Sequence, residues 1–184
     1  FPTRRSSDLL DKTGSCTFVL MGDGEIAEGS IWEAAAIASH YQLSSLIGII
    51  DANRLAQSGE SLYGSNINKI AQRFSAFGWK THIIDGHSIE QILQTCAEIN
   101  LTQKHPTLIV AHTIKGYGIS SLQDKNGFHG KAAEPGQLQS FLAELATHQI
   151  KLDNNYQWQP NLPKPQKITF APKTDTYKEF SYKK

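Results

Sequence analysis

The chain has 184 residues, 39% of them hydrophobic and 19% charged, which supplies enough apolar material for one α/β domain with its own core and excludes a disordered or fibrous chain. Its 18 basic and 17 acidic residues leave a formal net charge of +1, and the basic residues are scattered instead of forming a stripe, which argues against a nucleic-acid partner. Apolar runs such as Thr17 to Met21, Leu46 to Ile50 and Thr107 to Ala111 are strand length, far short of the ~20 residues that cross a bilayer. No membrane partner is expected, and the reading is of a soluble, cytoplasmic protein.

At the N-terminus, Arg4 and Arg5 are followed by Ser6, Ser7 and Asp8 rather than by an apolar stretch, so there is no signal-peptide shape. Residues 1–9, FPTRRSSDL, look like a translated sequencing-library adaptor, the alternative being an ordinary flexible arm. Residues 1–14 are therefore kept out of fold reasoning. The two cysteines, Cys16 in an expected strand and Cys96 in an expected helix, offer no disulfide framework or metal cluster and are read as reduced, buried thiols.

From Ser15 onward, short β-branched runs alternate with helical stretches, the pattern of βαβ units and a mostly parallel sheet flanked by helices. The first strand is Cys16 to Met21. Ser30 and Glu33 have capping-box spacing, which predicts a helix from there to about Tyr41, with Ile31, Ala34, Ala35 and Ala38 on one face. A strand follows at Leu46 to Asp51, then an irregular loop from Ala52 to about Asn66 and a helix over Ile67 to Phe77. Thr81 to Asp85 is the third strand, and Ser88 caps a helix to about Ile99 with Ile89, Ile92 and Leu93 apolar. Thr107 to Ala111 is the fourth strand. Beyond it come a glycine-bearing loop, Gly116 to Gly130, and a last helix from about Pro135 to His148. The α/β domain is thus expected over residues 15–150. Residues 151–184, with Pro160, Pro163, Pro165 and Pro172 among polar residues, read as an interdomain linker leading to a second domain, cut away or carried on another polypeptide.

The strongest chemical signal is Gly22-Asp23-Gly24-Glu25 directly after the first strand, with Asn53-Arg54-Leu55 directly after the second. In a parallel sheet the C-terminal strand ends share one edge, so Asp23 and Asn53 can converge there. A carboxylate and a neutral amide oxygen suit Mg²⁺, which takes few protein ligands and completes its octahedron with phosphate oxygens and water. The glycines beside Asp23 let backbone N–H groups approach a phosphate closely.

The longer blocks GDGEIAEGSIWEA, IDANRLAQSG, FGWKTHIIDGHS, HTIKGYG and FHGK, in that order, resemble the N-terminal thiamine diphosphate-binding domain of transketolase, from Ser15 to about His148. The resemblance implies a thiamine-diphosphate-binding fold in which Asp23 and Asn53 bind Mg²⁺, or another divalent cation such as Ca²⁺, through side chains and Leu55 through its carbonyl. It implies that Gly24 donates its N–H to the diphosphate and that Glu28 and Glu33 lie near a dimer interface, in hydrogen bonds linking two cofactor sites. Lys115 is implied near the diphosphate and His129 near the substrate, which makes Glu28 and His129 the catalytic candidates. Many thiamine diphosphate enzymes carry two asparagines where this chain has Ala52-Asn53.

The implied activity is transfer of a two-carbon ketol group from a ketose phosphate to an aldose phosphate within the pentose phosphate pathway. The implied partners are sugar phosphates, a pyrimidine-binding domain and, for the complete protein, a second copy. The family's histidine-bearing N-terminal segment would precede Ser15, and its pyrimidine-binding domain, with an activating glutamate, would follow the tail. Three alternatives remain beside this reading. One is a related enzyme such as a dihydroxyacetone synthase or a 2-oxo acid dehydrogenase component. The second is a catalytically silent diphosphate-binding half of a split or truncated enzyme, and the third a generic Mg²⁺-phosphate module. His40, His82, His87, His105, His112 and His148 show no metal-ligand spacing and are read as surface or structural.

Overall fold

The computed structural model describes residues 16–148; the N-terminal segment 1–14 and the linker 151–184 lie outside the described residues. Four strands, β1 (Thr17–Gly22), β2 (Leu46–Ala52), β3 (Lys80–Asp85) and β4 (Thr107–His112), form one sheet in the order β1-β2-β4-β3. Every pairing is parallel, with Gly22 opposite Asp51, Ala52 opposite His112 and Asp85 opposite His112, so all four C-terminal ends meet at one edge. The inner strands β2 and β4 read as nearly unbroken apolar runs because both of their faces are covered.

Helices α1 (Gly29–His40) and α2 (Ile67–Ala76) connect β1 to β2 and β2 to β3. Both pack on one face of the sheet, where Ala35, Ala38, Ile70, Ala71 and Phe74 meet Met21, Ile50, Leu108 and Val110. Helix α3 (Ile89–Glu98) connects β3 back to β4, the opposite direction across the sheet, and its Ile92 covers the other face against Ile47, Ile84, Ile109 and Ala111. A right-handed crossover demands this change of side when the direction of travel reverses. Gly48 in β2 is required by the packing, since a Cβ there would lie 3.0 Å from Leu108 Cδ1 and 3.3 Å from Trp79 Cζ3. Two indoles tie the helical layer down, Trp79 Nε1 donating to the Ala35 carbonyl and Trp32 Nε1 to that of Ile26, each at 2.9 Å.

Helix α2 is capped by the Asn66 side chain, which accepts from Lys69 N, and α3 by Ser88, which accepts from Gln91 N. The Ser30 capping box does not form. A 3₁₀ turn over Glu25–Ala27 feeds the chain directly into α1, and extended Glu28 occupies the cap without a side-chain bond. Backbone carbonyls at Glu25 and Glu28 accept from Glu28 N and Ile31 N, so Ser30 is already helical. Helix α4 (Leu138–Ala146) begins three residues after Pro135, because a turn comes first, in which Glu134 N donates to Gln137 Oε1 and Gln137 N to the Glu134 carbonyl.

The expected burial of both thiols is also corrected. Cys16 lies just before β1, its Sγ donating to the Ser45 carbonyl at 3.4 Å, and Cys96, one turn after Ile92 on α3, lines an open cavity over the sheet with Ile84 and Ile109; both are exposed. On α3 Thr95 is buried and Ile92 packs against the core, while Ile89 and Leu93 are 66% and 64% exposed. The same side of the sheet is open over β1, where Phe18 and Leu20 are 57% and 72% exposed. Among the described residues no helix is long and apolar enough to cross a membrane.

Candidate functional site

The site is built at the C-terminal edge of the sheet, the position at which open α/β sheets bind ligands. Strand pairing runs past the strand ends there: Asp23 N donates to the Asp51 carbonyl, Thr113 N to that of Ala52 and Gly86 N to that of His112. The loops after β1, β2 and β4 are thereby held side by side. Asp23 opens the first, Asn53 and Leu55 the second, Lys115 and His129 lie on the third.

Asp23 is only 2% exposed. Its carboxylate accepts from Ser61 Oγ at 3.0 Å and from the backbone N–H groups of Arg54 and Gly24. Burial pushes its pKa above the usual carboxylate value; the Ser61 hydroxyl and the Arg54 N–H oppose that rise, and the nearby Asp51 carboxylate adds to it. A Cβ at Gly24 would stand 3.1 Å from Ala56 Cβ, so glycine allows the first and second loops to close on each other. The neighbouring Gly22 N–H is already taken, at 2.5 Å, by Glu25 Oε2.

The second loop holds its shape through Asn53, whose Oδ1 accepts from Leu55 N at 3.1 Å. Arg54 is left-handed, with φ 62°. Its guanidinium bridges Glu60 Oε1 at 2.5 Å and Asp124 Oδ1 at 2.9 Å, the latter on the third loop. Lys115 Nζ reaches back to the Leu55 carbonyl at 3.3 Å and to His129 Nδ1 at 3.1 Å. His87 Nε2 accepts from Ile114 N at 2.8 Å and its ring stacks on Tyr117 at 3.9 Å, holding the start of that loop. Beside Lys115 a cavity of about 290 Å³ is lined by Phe128, Lys131, Glu134 and Phe141 among others.

The donor set fits a hard divalent cation. A nearly buried carboxylate has a hydroxyl and two backbone N–H groups as partners and no salt bridge to a basic side chain among the described residues. An amide oxygen and a main-chain carbonyl stand on the adjoining loop, and oxygen donors of this kind suit Mg²⁺ or Ca²⁺. The described residues hold no cluster of three or more His, Cys, Asp or Glu side chains suited to a metal.

A family model described as transketolase, thiamine diphosphate binding domain, matches residues 3–161. The chain belongs to the transketolase thiamine diphosphate-binding family. It is 39% identical over 136 residues to transketolase from Homo sapiens, covering 74% of this chain and 21% of that protein. It is 40% identical over 156 residues to transketolase-like protein 2 from Bos taurus, covering 85% and 24%. Among solved structures it superposes on transketolase from Campylobacter jejuni with a TM-score of 0.57 and 28% identity, covering 66% of this chain and 19% of that one. For a transketolase variant from Pichia stipitis the TM-score is 0.56 at 25% identity, covering 72% and 23%. The chain thus spans about a quarter of the length of the curated relatives it matches.

In this transketolase-family domain, six of the eight site candidates fall on the three adjoining loops: Asp23, Gly24, Asn53, Leu55, Lys115 and His129. Glu28 and Glu33 do not join them through any recorded hydrogen bond or ion pair; Glu28 caps α1 and both side chains are exposed. Sequence reasoning missed Ser61, Arg54, Asp124 and His87. His87, in the DGHS block, and Arg54, beside Asn53, lay inside quoted motifs; Ser61 and Asp124 carried no local signal.

Proposed function

We propose that this chain binds thiamine diphosphate through a divalent cation at the C-terminal edge of its sheet, as the diphosphate half of a transketolase active site. The observation that carries the proposal is the buried Asp23 carboxylate bonded to the Arg54 N–H, between Asn53 and Leu55 on the adjoining loop, and to Ser61 Oγ. Asp23, Asn53 and Leu55 would hold Mg²⁺, or another divalent cation such as Ca²⁺, and the Gly24 N–H, which here donates to the Asp23 carboxylate, would turn to the diphosphate once the cation takes that carboxylate. Lys115 supplies positive charge on the diphosphate side. His129, on the same loop, would hydrogen-bond the donor sugar. When bound, thiamine diphosphate supplies the carbanion chemistry by which a two-carbon ketol unit passes from a ketose phosphate to an aldose phosphate. The chain's own contribution is to fix the cofactor's position relative to the sugar.

In the complete protein, residues 151–184 would lead as a linker to a pyrimidine-binding domain, and Glu28 and Glu33 would face a second subunit. A second reading, a catalytically silent half competent only together with a pyrimidine-binding domain, is favoured by the open sheet face at Phe18 and Leu20. Calorimetric titration of thiamine diphosphate into the purified chain, with Mg²⁺ and again with chelator, separates the two. Mg²⁺-dependent binding that disappears in Asp23→Ala supports a preformed half-site. Binding seen only after a pyrimidine-binding domain is added supports the second reading, and equal affinity in Asp23→Ala refutes the anchoring role.

A further inference from the structure

The Leu55 carbonyl, read above as a cation ligand, already has a cation on it: Lys115 Nζ lies 3.3 Å away. The other recorded partner of that ammonium is the neutral acceptor His129 Nδ1, at 3.1 Å, and it forms no salt bridge among the described residues. Lysine ammonium groups commonly find carboxylates or water, so a lysine spent on a main-chain carbonyl and an imidazole needs a reason. The reason lies in how both ends are fixed. Leu55 is buried, and its N–H is pinned by Asn53 Oδ1. The Lys115 backbone is pinned too, because its carbonyl accepts from Asp124 N at 2.9 Å, and Asp124 is the residue whose carboxylate holds Arg54, next to Leu55. One clamp therefore sets both the carbonyl and the root of the lysine that reaches it.

We propose that Lys115 is a resident surrogate for the divalent cation, occupying the Leu55 carbonyl until cation and diphosphate arrive together and then transferring its ammonium to the diphosphate. The proposal rests on the reading of Asp23, Asn53 and Leu55 as the cation site. Mg²⁺ typically takes its oxygens at about 2.1 Å. A dication bound there with Lys115 still in place would put two positive centres on one oxygen, well inside the ~10 Å Debye length at 0.1 M salt. The lysine must leave. With no anion present it leaves for water and gives up a charge-assisted hydrogen bond, whereas with diphosphate present it gains an anionic partner. Cation alone thus binds against Lys115, and cation with diphosphate binds with its help. The loop favours the pair of ligands over the bare ion.

The test uses the full 184-residue chain with Mn²⁺ as the probe, free ion being read by electron paramagnetic resonance. Wild type is compared with Lys115→Met, Asp23→Ala and Lys125→Met, the last removing a charge from the same loop. Circular dichroism checks the fold of each. Without diphosphate, Lys115→Met should bind Mn²⁺ about tenfold more tightly than wild type, the order of one charge-assisted hydrogen bond, and Lys125→Met should match wild type. With Mn²⁺ present, Lys115→Met should bind thiamine diphosphate more weakly. Unchanged or weaker Mn²⁺ binding in Lys115→Met, with Asp23→Ala inactive in binding, overturns the surrogate role and leaves the cation site standing. Equal tightening in Lys115→Met and Lys125→Met reduces the effect to bulk charge and overturns the proposal as well. Thiamine diphosphate affinity in Lys115→Met at or above that of wild type overturns the transfer to diphosphate. Wild-type Mn²⁺ affinity retained in Asp23→Ala overturns the site reading and the proposal with it. If wild type binds too weakly to quantify, Lys115→Met must still bind measurably, and its failure to do so overturns the proposal.

Discussion

Arg54 and Asp124 are joined at 2.9 Å across seventy positions of sequence, and both stand in the left-handed backbone region, with φ of 62° and 56°. Non-glycine residues adopt that region at a cost, so the pair shows two loops bent to meet each other.

The first prediction concerns this pair. Exposed ion pairs contribute little to stability, so Asp124→Ala should leave the thermal midpoint nearly unchanged. The same change removes the carboxylate tie between the third loop and the second, leaving the Arg54 bond to the residue 124 carbonyl and the Lys115 bond to Leu55, and affinity for Mg²⁺-thiamine diphosphate should fall about tenfold, the range seen when partners behind metal ligands are removed. Calorimetry and a thermal melt on one preparation check both halves; a large loss of stability with intact affinity would contradict the assignment.

Ser61 offers a second test. Its hydroxyl opposes the upward shift that burial imposes on Asp23. Cation binding needs the ionised carboxylate, so affinity should fall as pH drops through the raised pKa of Asp23. In Ser61→Ala that fall should begin at higher pH, and at neutral pH Mg²⁺-dependent binding should weaken about three- to tenfold, the net worth of one hydrogen bond. Titrations from pH 5 to 8 read both effects.

His82 bears on stability alone. Burial, and then Lys80, lower its pKa, with Glu98 partly offsetting them, and its Nε2 is buried without a hydrogen-bond partner among the described residues. A histidine whose folded pKa is lowered takes up its proton first in the unfolded chain. Stability from this group is therefore complete above pH 6.5, the ordinary value, and declines as pH falls below it. His82→Leu should flatten the fall in melting temperature between pH 7 and 5.5, without altering Mg²⁺-dependent cofactor binding at pH 7.5.

Gly48→Ala tests the core. The added methyl would press on Leu108, Met21 and Trp79 at 3.0 to 3.3 Å. Overpacking of this kind costs about 1–3 kcal/mol, measurable by urea denaturation. Trp79 lies in the contact, so its fluorescence should report the change.

The strands and most helices were legible because each carries its signal within about ten residues: unbroken apolar runs at β2 and β4, a side-chain cap at Ser88. Asp23 and Asn53 were legible because parallel pairing delivers residues at strand ends to a common edge. Ser61 on Asp23 and Asp124 on Arg54 were not, since they span 38 and 70 positions and depend on how two loops fold. Ser30 misled because its local pattern was right for a cap while the 3₁₀ turn before it had already committed the backbone. The cysteines misled because residue type predicts burial only on average.

The third loop, which carries Lys115 and His129, returns to the rest of the domain largely through side chains, whereas β2 and β4 are paired along both edges. Amide hydrogen exchange should therefore separate into two classes, slow through Ile47–Ile50 and Leu108–Val110 and fast from Gly116 to Gly130. A protease that cuts within the fast segment should leave the sheet folded while removing the lysine and histidine from reach. The domain can lose its grip on a ligand by local opening, long before it unfolds.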